Sequence, residues 1–254
     1  MELLEYSLSD DVVVFSTKRG EPQGNYGEFN ITHYCGDAEE HVKHCRVELC
    51  NKLGISDNAL ILPRQTHESN ILNIEDSFFS LDEEERNQKL YGIDAIVTTL
   101  PRVCIGVSTA DCVPILLYDE DNGVVAAIHA GWRGTIQRIV EKTINYMIAE
   151  FSTLPKNIKA VIGPSISVDA FEVGDEVYEK FREKGFDMKM IAVRRDKWHI
   201  NLWEANRIQL QNCGVVLNNI HLSRICTYTN YREFFSARRL GINSGRIFNG
   251  IMIK

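Results

Sequence analysis

Val103-Cys104-Ile105-Gly106-Val107, residues 113–118 and residues 123–129 are three short apolar runs, rich in β-branched side chains and close together in the chain. Runs of this length and composition read as strands buried on both faces. Residues 159–163 form a fourth, ended by Gly163-Pro164. Between the third and fourth runs the period changes. After Ala130-Gly131-Trp132-Arg133-Gly134, the residues Ile136, Ile139, Val140, Ile144, Met147, Ile148 and Phe151 fall at helical spacing on one face. Strands that are apolar on both sides need cover on both sides. The expected fold is therefore α/β (mixed α+β), a single domain over residues 1–254 with mixed β-sheets flanked by helices.

Upstream, residues 11–16 (DVVVFS) read as a strand and Gly20 to Asn30 as a long loop. Residues 37–53 read as a helix with Val42, Val47, Leu49 and Leu53 inward, and the charge run Asp82 to Arg86 as a solvated loop or helix end. No internal repeat, low-complexity tract or Pro/Gly/Ser-rich linker divides the 254 residues.

Composition narrows the class of function. A net charge of -7 argues against nucleic acid as the main partner, because phosphate backbones are met by a surplus of Lys and Arg. A small anion needs only a local cluster. Met1 to Tyr6 lacks the basic start and apolar run of a secretory signal, and no stretch is long and apolar enough for a membrane helix. The seven cysteines are odd in number and contain no C-x-x-C pair, so they read as reduced thiols of a cytoplasmic protein.

Three segments each put one borderline-soft metal ligand at a strand end or sharp turn: Gln65-Thr66-His67, Ala110-Asp111-Cys112 and Ile128-His129-Ala130-Gly131. Two His and one Cys are an accepted set for a catalytic zinc, which keeps its fourth position open. On residue types alone, these remain either a shared metal site or three core residues. Gly131 and Gly134 open a helix after His129, where free backbone N–H groups and the forked donor of Arg133 suit an anion. The plainer reading of the two glycines is a tight strand-to-helix turn.

The strings "FSTKRG", "HYCGDAEEHVKHCR", "RQTH", "ADCVPILLYD", "AAIHAGWRGT", "IGPSISVDAFEVGDEV" and "CTYTNYREFFSARR", in that order, resemble the multicopper polyphenol oxidoreductase (laccase-domain, YfiH-like) family. The resemblance runs from about Val12 to Arg239. It implies one Zn2+ per chain held by His67, Cys112 and His129. It also implies purine nucleoside phosphorylase activity on adenosine, inosine and guanosine, with adenosine deaminase and methylthioadenosine phosphorylase activities in the same site. The departure lies in the first loop. Relatives carry two adjacent glycines after the first motif's Arg and an "SLNLG" segment, where this chain has Arg19-Gly20-Glu21 and Glu28-Phe29-Asn30-Ile31-Thr32.

Copper is disfavoured despite the family's name. A four-copper oxidase needs about ten His, and this chain has seven. Two other readings stay open: a Cys–His hydrolase with Cys112 as nucleophile and His129 as base, and a non-catalytic metal-binding module with a closed site. His41-x-x-His44-Cys45 offers a second metal group or, more simply, an exposed helix face. Cys104 and Cys213 read as small core residues, and Trp198 and Trp203 as core or interface. The H-x-E and P-C-x-x-C signature of other zinc deaminases is absent.

Phosphorolysis needs groups for phosphate, sugar and base. Arg19 and Arg133 are the phosphate candidates, with Arg238 a third, since a guanidinium grips two oxygens at once. Asn30 joins them as a substrate-binding residue. Asp111 orients a ligand, shuttles a proton or caps backbone in its turn. Phe171 and Phe235 are candidate walls for the base. The expected partners are thus a small nucleoside and phosphate.

Overall fold

A computed structural model describes residues 1–21 and 24–254; Pro22 and Gln23, in the loop expected between Gly20 and Asn30, lie outside the described residues. The apolar runs pair into a six-stranded sheet in the order 220–222, 158–162, 113–119, 124–130, 95–98, 71–74. At its centre Val113–Asp119 and Val124–Ala130 lie antiparallel, with Val113 opposite Ala130 and Asp119 opposite Val124. Every residue of both strands is buried, which is why they carry no polar alternation. A five-stranded sheet runs in the order 3–5, 12–17, 247–253, 104–109, 60–61.

Alternation along the strands decides which layer each side chain meets. Val113, Ile115, Leu117, Val124, Ala126 and Ile128 share one cluster with Ile139, Val140, Ile144 and Met147 of the following helix and with Leu202 and Leu210 of helix Leu202–Asn212. Their neighbours Leu116, Tyr118, Val125 and Ala127 join Val12, Val14, Ile105, Val107 and Ile251, so the two sheets pack face to face. The outer face of the five-stranded sheet (Phe15, Cys104, Phe248, Met252) is covered by Phe29, Ile31 and helix Glu39–Leu53 through Cys45, Leu49 and Cys50. The layers are therefore helix, sheet, sheet, helices. A small sheet of 172–173, 198–200 and 192–194, with helix Asp175–Glu183, extends the second helical layer.

The expected mixture of strands and helices is what the chain forms, with corrections. The helix expected after Gly134 is broken in two: Trp132–Ile136 and Ile139–Phe151, separated by Arg138 at φ 63. Ile148, counted on its inward face, is 38% exposed. In helix Glu39–Leu53, Val47 points outward while Cys45 and Cys50 are buried. The charge run is a helix start: Asp82 caps Glu83–Leu90 in a reciprocal box with Glu85. Cys104 is a core residue, and Cys213, Trp198 and Trp203 pack partly buried against the first cluster.

Ile247–Ile253 enters the middle of the five-stranded sheet, with Gly250 directly opposite Gly106. Phe248 fills the space over Gly106: a Cβ there would stand 2.3 Å from the Phe248 Cζ and 2.6 Å from the Asn249 carbonyl oxygen. Neither a neighbouring strand nor a ring in a closed core can retreat that far. Gly106→Ala is expected to cost about 1–3 kcal/mol, lowering Tm by roughly 2–4 °C per kcal/mol. Thermal unfolding checks it, and an unchanged Tm would contradict the packing.

Candidate metal centre

Three chain segments meet where the six-stranded sheet ends. His129 is the penultimate residue of its strand and only 3% exposed. Cys112 immediately precedes strand 113–119, in a turn where Asp111 takes φ 91. His67 lies in the loop between strands 60–61 and 71–74 at φ 66, a left-handed backbone few non-glycine residues adopt. One ligand atom from each of these residues lies within 4.8 Å of the others, and the two imidazoles meet nearly edge to face at 4.9 Å between centroids.

What holds them is a residue sequence reading missed. Asp94, fully buried at the mouth of strand 95–98, accepts a 2.7 Å bond at Oδ1 from His129 Nδ1. The same carboxylate accepts from the backbone N–H groups of Thr66, His67 and Glu68, at 3.2, 3.1 and 2.9 Å. With Nδ1–H given to Asp94, His129 presents Nε2 to the cluster. The three amide bonds fix the strained backbone that carries His67, so one carboxylate positions both histidines. Its only trace in the sequence is a lone acid before the apolar run Ala95-Ile96-Val97. Gln65, also missed, pairs with Ser108 reciprocally: its Nε2 donates to the Ser108 carbonyl and its Oε1 accepts from the Ser108 N–H, both at 2.8 Å.

Charge in the cluster follows from this geometry. Burial alone would raise the Cys112 thiol, but the charges and hydrogen bonds of His129 and His67 bring it down to about 6. Burial works the other way on His129, which Cys112 and Asp94 nevertheless lift to about 9. Burial opposes ionisation of Asp94 as well, and its bonds from His129, Glu68 and Thr66 outweigh that and lower it. Each group favours the charged form of the other, which biases the pair toward thiolate and imidazolium. A metal held here would take Cys112 as thiolate and His129 as neutral imidazole.

The donor set suits a borderline-soft metal, and the space around it is kept clear. A Cβ at Gly131 would stand 3.0 Å from the Cys112 Sγ and 3.2 Å from the His67 Cδ2. Any side chain there would press on two of the three ligands. Gly134, by contrast, serves close packing, facing the carbonyls of Glu68 and His129 at 3.2 and 3.3 Å from a built Cβ.

Asp111 has both oxygens engaged. Oδ1 accepts from the Thr227 hydroxyl at 2.6 Å and Oδ2 from the Arg238 backbone N–H at 2.7 Å, tying the Cys112 turn to the short helix Ala237–Leu240. The Arg238 guanidinium stands 5.6 Å over the Phe171 ring and reaches the Glu172 carbonyl. Arg133 is exposed and lies against Trp132, 4.4 Å from its ring.

Three candidates are engaged elsewhere. Arg19 is 1% exposed; Nη1 and Nη2 donate to the carbonyls of Tyr231 and Gly24. Backbone oxygens thus take one donor on each Nη, while the buried Nε has no partner. Asn30 is fully buried, donating to Asp37 and accepting from the backbone N–H groups of Thr32 and Arg246. Phe235 is a core ring beneath Arg19, packed against Gly27 and Gly245. His41, His44 and Cys45 do not converge: Cys45 is buried under the helix, His44 is exposed, and His41 pairs with Asp37.

The family model described as multi-copper polyphenol oxidoreductase laccase matches residues 12–254. A relative from Bacteroides thetaiotaomicron named purine nucleoside phosphorylase is 49% identical over 94% of this chain and 90% of its own. A protein from an unknown prokaryotic organism, named adenosine deaminase RL5, is 44% identical over 100% of this chain and 99% of its own. The crystal structure of a Bacillus licheniformis hypothetical protein, YfiH, is similar at TM-score 0.91 and 28% identity, covering 99% of this chain and 96% of that one. YlmD from Geobacillus stearothermophilus is similar at TM-score 0.89 and 26% identity, over 98% and 94%.

Asp94→Asn keeps the volume but replaces one acceptor oxygen with a donor that faces backbone N–H groups. Metal affinity is expected to fall about 10–100-fold, read by competition with a chelator, while far-ultraviolet circular dichroism stays native. Affinity equal to the wild type's would remove Asp94 from the centre.

Proposed function

This chain belongs to the family described as multi-copper polyphenol oxidoreductase laccase, and we propose that it is a zinc-dependent purine nucleoside phosphorylase. It acts on adenosine, inosine and guanosine, with adenosine deamination and phosphorolysis of S-methyl-5'-thioadenosine in the same site. The observation that carries the reading is the convergence of His67, Cys112 and His129 on one point, in a chain with relatives named for phosphorolysis and for deamination.

The residues fit a single zinc. Two imidazoles and a thiolate are a catalytic zinc set, and Asp94 supplies the carboxylate that such a histidine usually has behind it. When bound, the metal supplies a Lewis acid and a proton source beside the substrate. The chain does the rest. Cys112 enters as thiolate, Asp94 keeps the His129 Nε2 aimed inward, and Gly131 leaves the approach unobstructed. Arg133, exposed and four residues beyond His129, is the phosphate candidate with its fork free. Arg238 and Phe171 form the wall on the Asp111 side. A multicopper cluster fits poorly, since the other histidines stand apart: His41 pairs with Asp37 and His199 with the Val168 carbonyl.

One observation favours a second reading. Cys112, His129 and Asp94 also have the order of a nucleophile–base–orienter triad. That arrangement leaves His67 without a role, whereas a metal uses all three donors. Metal content and chelation separate the two. The purified protein is expected to carry about one zinc per chain. Cys112→Ala should lose both the metal and both activities while keeping its fold. Full nucleoside activity in chelator-stripped wild type would overturn the zinc reading in favour of the triad.

A further inference from the structure

A groove of about 320 Å³ adjoins the segment that follows His129, lined by Trp132, Arg133, Ile136 and Gln137 on one side and Lys180, Glu183 and Lys184 on the other. Its two walls come from helix Trp132–Ile136 and from helix Asp175–Glu183 with its capping residue Lys184. The Trp132 ring takes two cations at once: the Arg133 Cζ lies 4.4 Å and the Lys180 Nζ 5.4 Å from its centroid. Stacking on the ring's negative face restrains both long side chains without neutralising either. Lys184 stands on the same helix face as Lys180, four residues on. Among the described residues no carboxylate forms an ion pair with Arg133, Lys180 or Lys184, although Glu183 lies in the groove.

Three unpaired cations gathered in a chain of net charge -7 need a reason. The dipole of helix Asp175–Glu183 favours lysines at its C-terminal end. It does not explain why an arginine from another helix turns onto the same ring. Like charges so placed repel unless an anion answers them.

We propose that this groove docks a dianionic phosphoryl group, and that its occupant is the inorganic phosphate consumed in phosphorolysis. The identity of the anion rests on the proposed phosphorylase activity; the groove's charge does not. Arg133 offers the fork and Lys180 and Lys184 the point charges. Gly131, whose missing side chain clears two metal ligands, is two residues before Arg133, so one short segment of chain links the groove wall to the metal centre. Volume agrees: the groove holds phosphate with room for a phosphomonoester, the one rival source of the same group.

The test uses the metal-loaded enzyme and the double variant Lys180→Gln/Lys184→Gln, neither residue touching the ligands. Adenine release is followed against phosphate, adenosine deamination is followed without it, and tryptophan fluorescence is titrated with inorganic phosphate and separately with adenosine 5'-monophosphate. Trp132→Phe assigns the signal. The variant is expected to raise the KM for phosphate about ten- to a hundred-fold. Its kcat at saturating phosphate and its deamination rate should stay unchanged, and its fluorescence response to phosphate should weaken in step. An unchanged KM for phosphate overturns the proposal and leaves the phosphorylase reading standing. A response to the nucleotide but none to inorganic phosphate overturns it in favour of a nucleotide site. If the wild type releases no adenine in a phosphate-dependent way, the phosphorylase reading fails and takes the co-substrate role with it. A saturable phosphate response lost in the double variant would then uphold the docking groove alone.

Discussion

The site depends on one buried carboxylate. Asp94 has no exposure to water, a costly position for a charge unless every lone pair is answered. Here four donors answer it: the His129 ring and three successive amides of the turn carrying His67. Strand 95–98, which Asp94 immediately precedes, is itself paired to strand 124–130, and the His129 N–H bonds the Asp94 carbonyl at 2.8 Å. Main chain and side chain thus lock the same two residues together. Through that lock the sheet, a rigid element, sets the position of a ligand on a loop. Cys112 is set independently, by the adjoining strand and by the Asp111 bonds to Thr227 and Arg238.

This division has a chemical consequence. His129 is buried in the sheet and Cys112 half-buried beside it, and Asp94 pins the exposed turn that carries His67, whereas the candidate substrate groups are on short helices at the rim: Arg133 on Trp132–Ile136 and Arg238 on Ala237–Leu240. A rigid centre with adaptable rim groups can serve two reactions on one purine nucleoside, since only the arriving partner differs. Phosphorolysis requires an anion at the rim and deamination does not.

Much of the scaffold was legible because full burial leaves a mark: strands 104–109, 113–119, 124–130 and 158–162 are near-continuous apolar runs. The final strand was not, since Asn249 and Gly250 interrupt its apolar pattern. Asn249 is nevertheless fully buried, accepting from Ser16 and donating to Thr109. Nor was the helix break at Arg138, because nothing about an arginine advertises a left-handed backbone. In the site, the three donors stood out by residue type at strand ends. Asp94 did not, because a single acid before an apolar run resembles any turn residue. Arg19, Asn30 and Phe235 also stood out by residue type. Their chemistry suits a nucleoside and phosphate, and tertiary packing uses the same guanidinium, amide and ring to close the first loop over the sheet.

The proposed function requires one zinc where His67, Cys112 and His129 meet. Anomalous diffraction from a crystal of the purified protein, collected on either side of the zinc edge and again at the copper edge, tests it directly. One strong zinc peak per chain is expected, within bonding distance of the Cys112 Sγ, the His129 Nε2 and a ring nitrogen of His67, with Asp94 behind His129. A peak at any other place in the chain, or several copper peaks, would contradict it.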